Sequence, residues 1–423
     1  MTSLAFHLGF LLAAALLGSV ASVDEDYGEL KLVHLLYRHG DRTPIDFYPN
    51  DPYQDPKYWP VGPGELLNAG KERQYELGEF LKKRYEGFLS PMYSIPEVYV
   101  RSTDYDRTLM SAQANLAGLF PPQGSQIWNP NISWQPIPVH TVSPSDDYLL
   151  SPDSTCRTAT DELESLKYRL PFVGEMVDRA EKLLMGIQAD TGLTPHGNVI
   201  SQVDYLSDTL KIESSFNYTL PNWTHGIYPN QTKPISDFSF MLKSLTPTLK
   251  RLRGGPLVYT MVKNMEDKVA RKSRMEKLKV VMYSGHDTTV SMFLGSLNIF
   301  DPHQPGYACL VTVELREKNA VHYARVMYRN ETGDYNLRIP GCDHMCRLEE
   351  FARLTEPVRI SPQQWGIECQ NQPSIFSSNL LLVVNISCLL VVLLILSTTL
   401  LVLYWNKHRQ VRGYTSLPSA DAS

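Results

Sequence analysis

The sequence predicts an α/β domain interrupted by a helical insertion and followed by one membrane-spanning helix. Three short β-rich runs, KLVHLLY at 31–37, EVYV at 97–100 and KVVMY at 279–283, each stop at polar or charged residues and give way to a helical pattern. Alternation of that kind builds a mostly parallel sheet covered by helices. Residues 143–255 lack strong strand signals and read as polar helices broken at Pro171 and Pro195. Leu380 to Trp405 is a nearly continuous apolar run, long enough to cross a bilayer.

With 423 residues, 43% of them hydrophobic, the chain can bury a large core and exceeds one minimal domain. A net charge of −5 argues against nucleic acid as the main partner. Residues 1–21 carry an apolar core, FHLGFLLAAALLG, followed by the small residues Ser19-Val20-Ala21, the pattern of a signal peptide. Beyond the apolar run, Lys407, Arg409 and Arg412 mark the cytosolic side, with Tyr404 and Trp405 at the membrane edge. The expected organisation is a signal peptide at 1–21, α/β core at 22–142, helical cap at 143–255, core again at 256–372, a span at 380–405 and a cytosolic tail at 406–423. Asn131, Asn217, Asn222, Asn230 and Asn330 begin N-x-S/T sequons suited to a glycosylated luminal part. Asn385 begins another inside the span, where it should stay unmodified.

The first strand ends in Arg38-His39-Gly40-Asp41-Arg42-Thr43-Pro44. Two guanidinium forks and an imidazole on one tight turn repel each other unless an anion lies between them, and planar forks suit phosphate. A helix follows in ELLNAGKERQYELGEFLKKRYEGFL, then the strand EVYV ending at Arg101. Ser102 and Thr103 are expected to cap the next helix, DYDRTLMSAQANLAGLF, which puts Arg101 beside a helix N-terminus, an anion-friendly position. After the helical insertion, KLKVVMYSGHDTTVSMF repeats the pattern and places His286 and Asp287 at a strand end. The segment ACLVTVELREKNAVHYARVMYRNE reads as two strands joined by a turn at 317–320. All of these strand ends belong at the carboxyl edge of the sheet, where open α/β sheets bind ligands.

Arg38-His39-Gly40-Asp41-Arg42-Thr43-Pro44 resembles the RHGxRxP signature of the histidine acid phosphatases, in the branch of the prostatic and lysosomal enzymes. RSTDYDRTLMSA and YSGHDTTVS resemble the family's second arginine segment and its HD segment, in the expected order, so the resemblance covers about residues 29–370. One departure is Gly285, where Ala is expected. The resemblance implies a sheet core of the histidine phosphatase type and an acid phosphatase without cofactor or metal. Carried over, His39 is the nucleophile, forming a phosphohistidine. Arg38, Arg42, Arg101 and His286 hold the phosphoryl oxygens, and Asp287 protonates the leaving alcohol. An acid compartment suits a carboxyl that must be protonated, since an unperturbed Asp has a pKa of about 3.9. The resemblance also implies a homodimer, acting on small phosphomonoesters, phosphotyrosine proteins or lysophospholipids.

Two other readings stand beside this one. Asp104-Tyr105-Asp106-Arg107-Thr108 matches the DxDx[TV] pattern of haloacid-dehalogenase-type phosphatases, which use an aspartyl nucleophile and magnesium, but the later acidic motif lies upstream rather than downstream. A catalytically silent receptor or adhesion ectodomain on the same fold would be expected to have lost a catalytic residue, and every matched position is present.

By resemblance, Cys156 pairs with Cys369 and Cys342 with Cys346. A third bridge would join Cys309 to the cap, where Ile212 occupies the partner position, leaving Cys309 unpaired. In the tail, Tyr414-Thr415-Ser416-Leu417 fits the YxxΦ pattern read by sorting adaptors, so Tyr414 and Leu417 point to cycling through endosomes or lysosomes, with a plasma-membrane pool.

Overall fold

The computed structural model describes residues 27–152, 156–369 and 375–413; the signal-peptide region, Tyr414 and Leu417 lie outside the described residues. The chain begins with strand β1 (Glu29–Arg38), helix α1 (Asn68–Arg84), strand β2 (Val98–Ser102) and helix α2 (Asp106–Leu119). Four longer helices follow: α3 (Arg157–Arg169), α4 (Pro171–Thr191), α5 (Val199–Ser215) and α6 (Thr232–Leu242). The short α7 (Pro247–Leu249) leads through a wide turn into α8 (Gly255–Val269) and α9 (Ser273–Lys277). Then come β3 (Val280–Gly285), α10 (Asp287–Ser296), β4 (Leu310–Lys318), β5 (Val321–Asn330), β6 (Gly333–Leu337), β7 (Cys346–Arg347), α11 (Leu348–Thr355) and α12 (Pro362–Glu368). Helix α13 (Ile375–Gly413) contains the segment Val383–Arg409, long and apolar enough to cross a membrane.

The strands form one sheet in the order β2-β3-β1-β4-β5-β6, with β7 beside β5. Strands β2, β3 and β1 are parallel, while β4, β5 and β6 are antiparallel additions. Period-two alternation divides β1 between two cores. Leu32 and Leu36 pack with Leu257, Val258, Met261 and Phe293 of α8 and α10. Val33, Leu35 and Tyr37 face Leu77, Leu81, Leu116 and Leu119 of α1 and α2. With both faces covered, β1 has no solvated side, which explains its nearly uniform apolar composition. The hairpin expected at 317–320 turns at Asn319 and Ala320, both at positive φ, as a two-residue turn between right-twisted strands demands.

Helices α3–α6 occupy the stretch read as an insertion and build their own core, in which Leu166, Leu184, Val203, Ile235 and Phe238 join Trp365 of α12. The Cys156–Cys369 disulfide fastens the start of this layer to the end of α12, and Cys342–Cys346 closes a short loop before β7. Asn131, Asn217, Asn222 and Asn230 are exposed, and Asn330 is half-buried at the end of β5.

One local expectation is corrected. Helix α2 starts at Asp106 after Tyr105, without a side-chain cap. Ser102 ends β2 and its hydroxyl donates to the Thr103 carbonyl, while Thr103 turns toward His286. The extended backbone continues through Thr103 because its N–H donates to the Ser284 carbonyl at 3.1 Å, so neither residue is available as a cap.

Cys309 is buried at the start of β4 without a disulfide partner, and burial pushes its thiol up to about 12. It should therefore resist alkylation in the native protein. In the unreduced, denatured chain it should be labelled while Cys156, Cys342, Cys346 and Cys369 stay protected. Peptide mass mapping reads this directly; Cys309 found bridged to any of those four would contradict the pairing.

Candidate active site

Parallel pairing of β1 with β3 sets Arg38 opposite Gly285, so the residues after these strands emerge side by side. The His39 N–H donates to the Gly285 carbonyl at 3.0 Å, carrying the ladder one residue past the strand. Gly40 can bear no side chain, because a Cβ there would stand 2.2 Å from the Gly70 carbonyl oxygen in the first turn of α1. Its N–H donates to Ser111 Oγ on α2 at 3.0 Å. Asp41 turns away from the strand ends and takes both prongs of Arg73, at 2.7 and 3.2 Å. The turn is thus clamped between α1 and α2, and His39 is held in one orientation.

His39 is 2% exposed. Its Nδ1 lies 2.8 Å from the Gly40 carbonyl oxygen. A carbonyl only accepts, so Nδ1 carries the hydrogen and Nε2 keeps its lone pair when the ring is neutral. Burial lowers the imidazole pKa well below 6.5, reinforced by Arg38, His286, Arg42 and Arg107. A neutral ring with a fixed tautomer and an available Nε2 is the form that can act as a nucleophile.

Three guanidinium groups gather around this imidazole. Arg38 is fully buried, with Nη2 2.8 Å from Asp287 Oδ2, Nη1 donating to the Pro305 carbonyl at 2.5 Å, and its plane 4.2 Å from the Tyr307 ring. Arg42 sets Nη2 3.0 Å from Asp208 Oδ2 of α5. Arg107, in the first turn of α2, makes no ion pair among the described residues; burial, then the neighbouring Arg42, pushes its pKa down. The Nε atoms of Arg42 and Arg107 are buried with no hydrogen-bond partner. Both donors are therefore free to meet an acceptor placed between these two side chains.

His286 and Asp287 complete the cluster. The His286 ring is 5.6 Å from that of His39, edge to face, and its Nε2 is 2.9 Å from Thr103 Oγ1. Burial, then Arg107, brings its pKa down to about 3. For Asp287, burial pushes the carboxyl up, but Arg38, Arg42 and His286 together outweigh it and hold it below the ordinary 3.8. Beside Arg42, Arg107, His286 and Asp287 opens a cavity of about 340 Å³, whose lining does not include Arg38 or His39. Arg42, Arg107, His286 and Asp287 line its sheet side, and Ile200, Asp204, Asp208 and Ser239 of α5 and α6 line the cap side.

Residues 29–329 match the model of the histidine phosphatase superfamily, branch 2. The chain belongs to this superfamily. It is 41% identical to prostatic acid phosphatase of Rattus norvegicus over 376 residues, covering 86% of this chain and 93% of that one. It is 40% identical to lysosomal acid phosphatase of Bos taurus over 400 residues, covering 93% and 92%. The fold matches that of a phytase from Hafnia alvei in complex with tartrate, with a TM-score of 0.62, 19% identity and coverage of 79% and 98%.

In this histidine phosphatase the structure brings together Arg38, His39, Arg42, His286 and Asp287. It does not bring Arg101 into the cavity lining: Nη2 of Arg101 sits 2.6 Å from Asp147 Oδ1, which is 1% exposed. Because side chains alternate across β2 and the backbone stays extended through Thr103, Arg101 faces the 147–150 segment, and the arginine that reaches the site is Arg107. The sequence held a signal for it, since a cation in the first turn of a helix opposes the helix dipole unless an anion is near. Asp208, Thr103 and Tyr307 were also missed, and no local pattern announces them. Asp104 and Asp106 are exposed, outside the cavity lining.

The two arginines should separate experimentally. Arg101→Ala leaves Asp147 buried and unpaired and should lower unfolding free energy by roughly 3 kcal/mol. Arg107→Ala removes a like-charge neighbour of Arg42, so stability should barely change while kcat/KM for a phosphomonoester falls by about a hundred- to a thousandfold. Denaturant melts and steady-state kinetics on both variants check this; the reverse assignment of effects would reject it.

Proposed function

We propose that this chain is an acid phosphatase that hydrolyses phosphate monoesters through a phosphohistidine on His39, without a metal ion. The observation that carries the reading is the neutral, buried His39 with Nδ1–H fixed on the Gly40 carbonyl, set among Arg38, Arg42 and Arg107. Curated relatives at this level of identity bear the name acid phosphatase.

In the first step His39 Nε2 forms a bond to phosphorus as the ester P–O bond breaks, and Asp287 gives its proton to the departing alkoxide. The three guanidinium groups offset the charge on the equatorial oxygens, doing the work that metal ions do in other phosphoryl-transfer sites. The Gly40 carbonyl stabilises the positive charge left on the phosphorylated ring through Nδ1–H. In the second step Asp287, now a carboxylate, takes a proton from water; its oxygen attacks phosphorus, the P–N bond breaks, and neutral His39 returns.

Asp287 is held ionised by the arginines before substrate arrives. A phosphate between Arg38 and Arg42 offsets their field and leaves the upward push of burial in control, so binding itself prepares the carboxyl to hold a proton. The substrate monoanion can deliver that proton, and it predominates below its second pKa of about 6. His39 stays neutral there because its own pKa lies well below 6.5. Together these support a working range in acid.

The apolar helix, the basic residues after it, the luminal sequons and the bovine lysosomal relative support a single-pass membrane protein with its catalytic part in the lumen or outside the cell. Tyr414 and Leu417 would address it to endosomes or lysosomes through a sorting adaptor, and the catalytic part would pair as a homodimer.

Asp287→Asn should slow alkyl phosphates about a hundred- to ten-thousandfold. Aryl phosphates with strongly activated leaving groups should lose far less, since such a group needs no proton to depart. The same kinetics run with and without chelator should agree. Equal losses on both substrate types would reject the general-acid role, and chelator-abolished turnover would reject the metal-free mechanism.

A further inference from the structure

The cap side of the cavity carries negative charge that the chemistry above does not use. Asp204 and Asp208 stand four residues apart on α5 and share one face, about 6 Å apart along the helix axis. Both line the cavity. Asp208 is already engaged, by Arg42 Nη2 at 3.0 Å and by Gln304 Nε2 at 3.0 Å. Asp204 accepts a hydrogen bond from Ser236 Oγ of α6 at 2.5 Å and makes no ion pair among the described residues. The charged groups lining this space are Asp208 on the same helix, Asp287 at the start of α10, Lys243 just after α6, and Arg42 and Arg107 on the sheet side; His286, Tyr105 and Tyr205 are the other titratable groups on its wall.

Resting on the phosphatase reading, we infer that Asp204 is a specificity-determining residue that favours phosphomonoesters whose alcohol part carries a positive charge. A carboxylate that makes no ion pair among the described residues, on the wall of a cavity, gains from any ammonium placed beside it. A second anion on the alcohol meets Asp204, Asp208 and Asp287 at once. The phosphate is gripped about one helical turn away, beside Asp208, so a charge a few bonds beyond the ester oxygen falls next to Asp204. Burial pushes the Asp204 carboxyl up to about 6, with Asp287 and Asp208 adding to the push against the Ser236 hydrogen bond. The selectivity is therefore present at neutral pH and fades in acid, making substrate choice depend on compartment.

The probes are phosphoethanolamine, its neutral isostere propyl phosphate, and phosphoglycolate, assayed with the full chain in detergent. The readout is the ratio of kcat/KM for phosphoethanolamine to that for propyl phosphate, compared between wild type and Asp204→Asn, so that the titrations of Asp287 and of each substrate's phosphate cancel. At pH 7 the ratio should be about three- to tenfold higher in wild type than in Asp204→Asn, the size expected of a partly shielded charge pair. The two proteins should converge at pH 5, Asp204→Glu should restore the preference, and phosphoglycolate should shift the opposite way. High salt should collapse the wild-type ratio, a reading that needs no variant to fold. Identical ratios in wild type and Asp204→Asn at pH 7, equal shifts at both pH values, or a salt-insensitive wild-type ratio would overturn the inference. Wild type that hydrolyses neither ester would instead reject the phosphatase reading itself.

Discussion

The arrangement depends on the register of one parallel strand pair. Arg38 lies opposite Gly285, and the His39 N–H continues the ladder to the Gly285 carbonyl. Some 250 residues of sequence separate the two strands, yet this pairing sets the turn that carries His39 beside the helix start that carries Asp287. A slip of one residue would turn every β1 side chain to the opposite face. Leu32 and Leu36 would exchange cores with Val33, Leu35 and Tyr37, so the fit of each side chain within its own core, rather than the apolarity of β1 alone, holds the register.

Around that frame the electrostatics are nearly self-cancelling. Arg38 faces Asp287 and Arg42 faces Asp208, while Arg107 makes no ion pair among the described residues. Burying like charges together costs free energy that an arriving phosphate anion recovers. Burial, with the same field behind it, lowers the His39 pKa, while the field holds Asp287 ionised. In the proposed mechanism one arrangement of guanidinium groups would bind phosphate, favour a neutral nucleophile and couple the acid's proton to occupancy. The Arg42–Asp208 pair also ties α5 to the turn after β1.

Much of this was legible in the sequence because strand ends are local. The apolar run of β1, the abrupt appearance of Arg38-His39-Gly40, and the repeat of that pattern before His286 follow from burial alone. Arg107 was not legible in the same way: Arg101 and Arg107 share one segment, and choosing between them requires knowing that β2 extends through Ser102 and that α2 begins at Asp106. Asp208 and Tyr307 reach the site across the tertiary fold, from a cap helix and from the loop before β4, without local periodicity to betray them. The pairing of Cys156 with Cys369 likewise joins segments that no spacing argument connects.

The account turns on His39 Nε2 forming a covalent bond to phosphorus. Its most direct measurement is a rapid denaturing quench of wild type turning over a phosphorus-labelled monoester, followed by peptide mapping of the protein-bound label. The account predicts label on the peptide carrying His39, on its imidazole, rising and falling with turnover. Label on an aspartate such as Asp104, or continued turnover with no protein-bound label at any quench time, would contradict it.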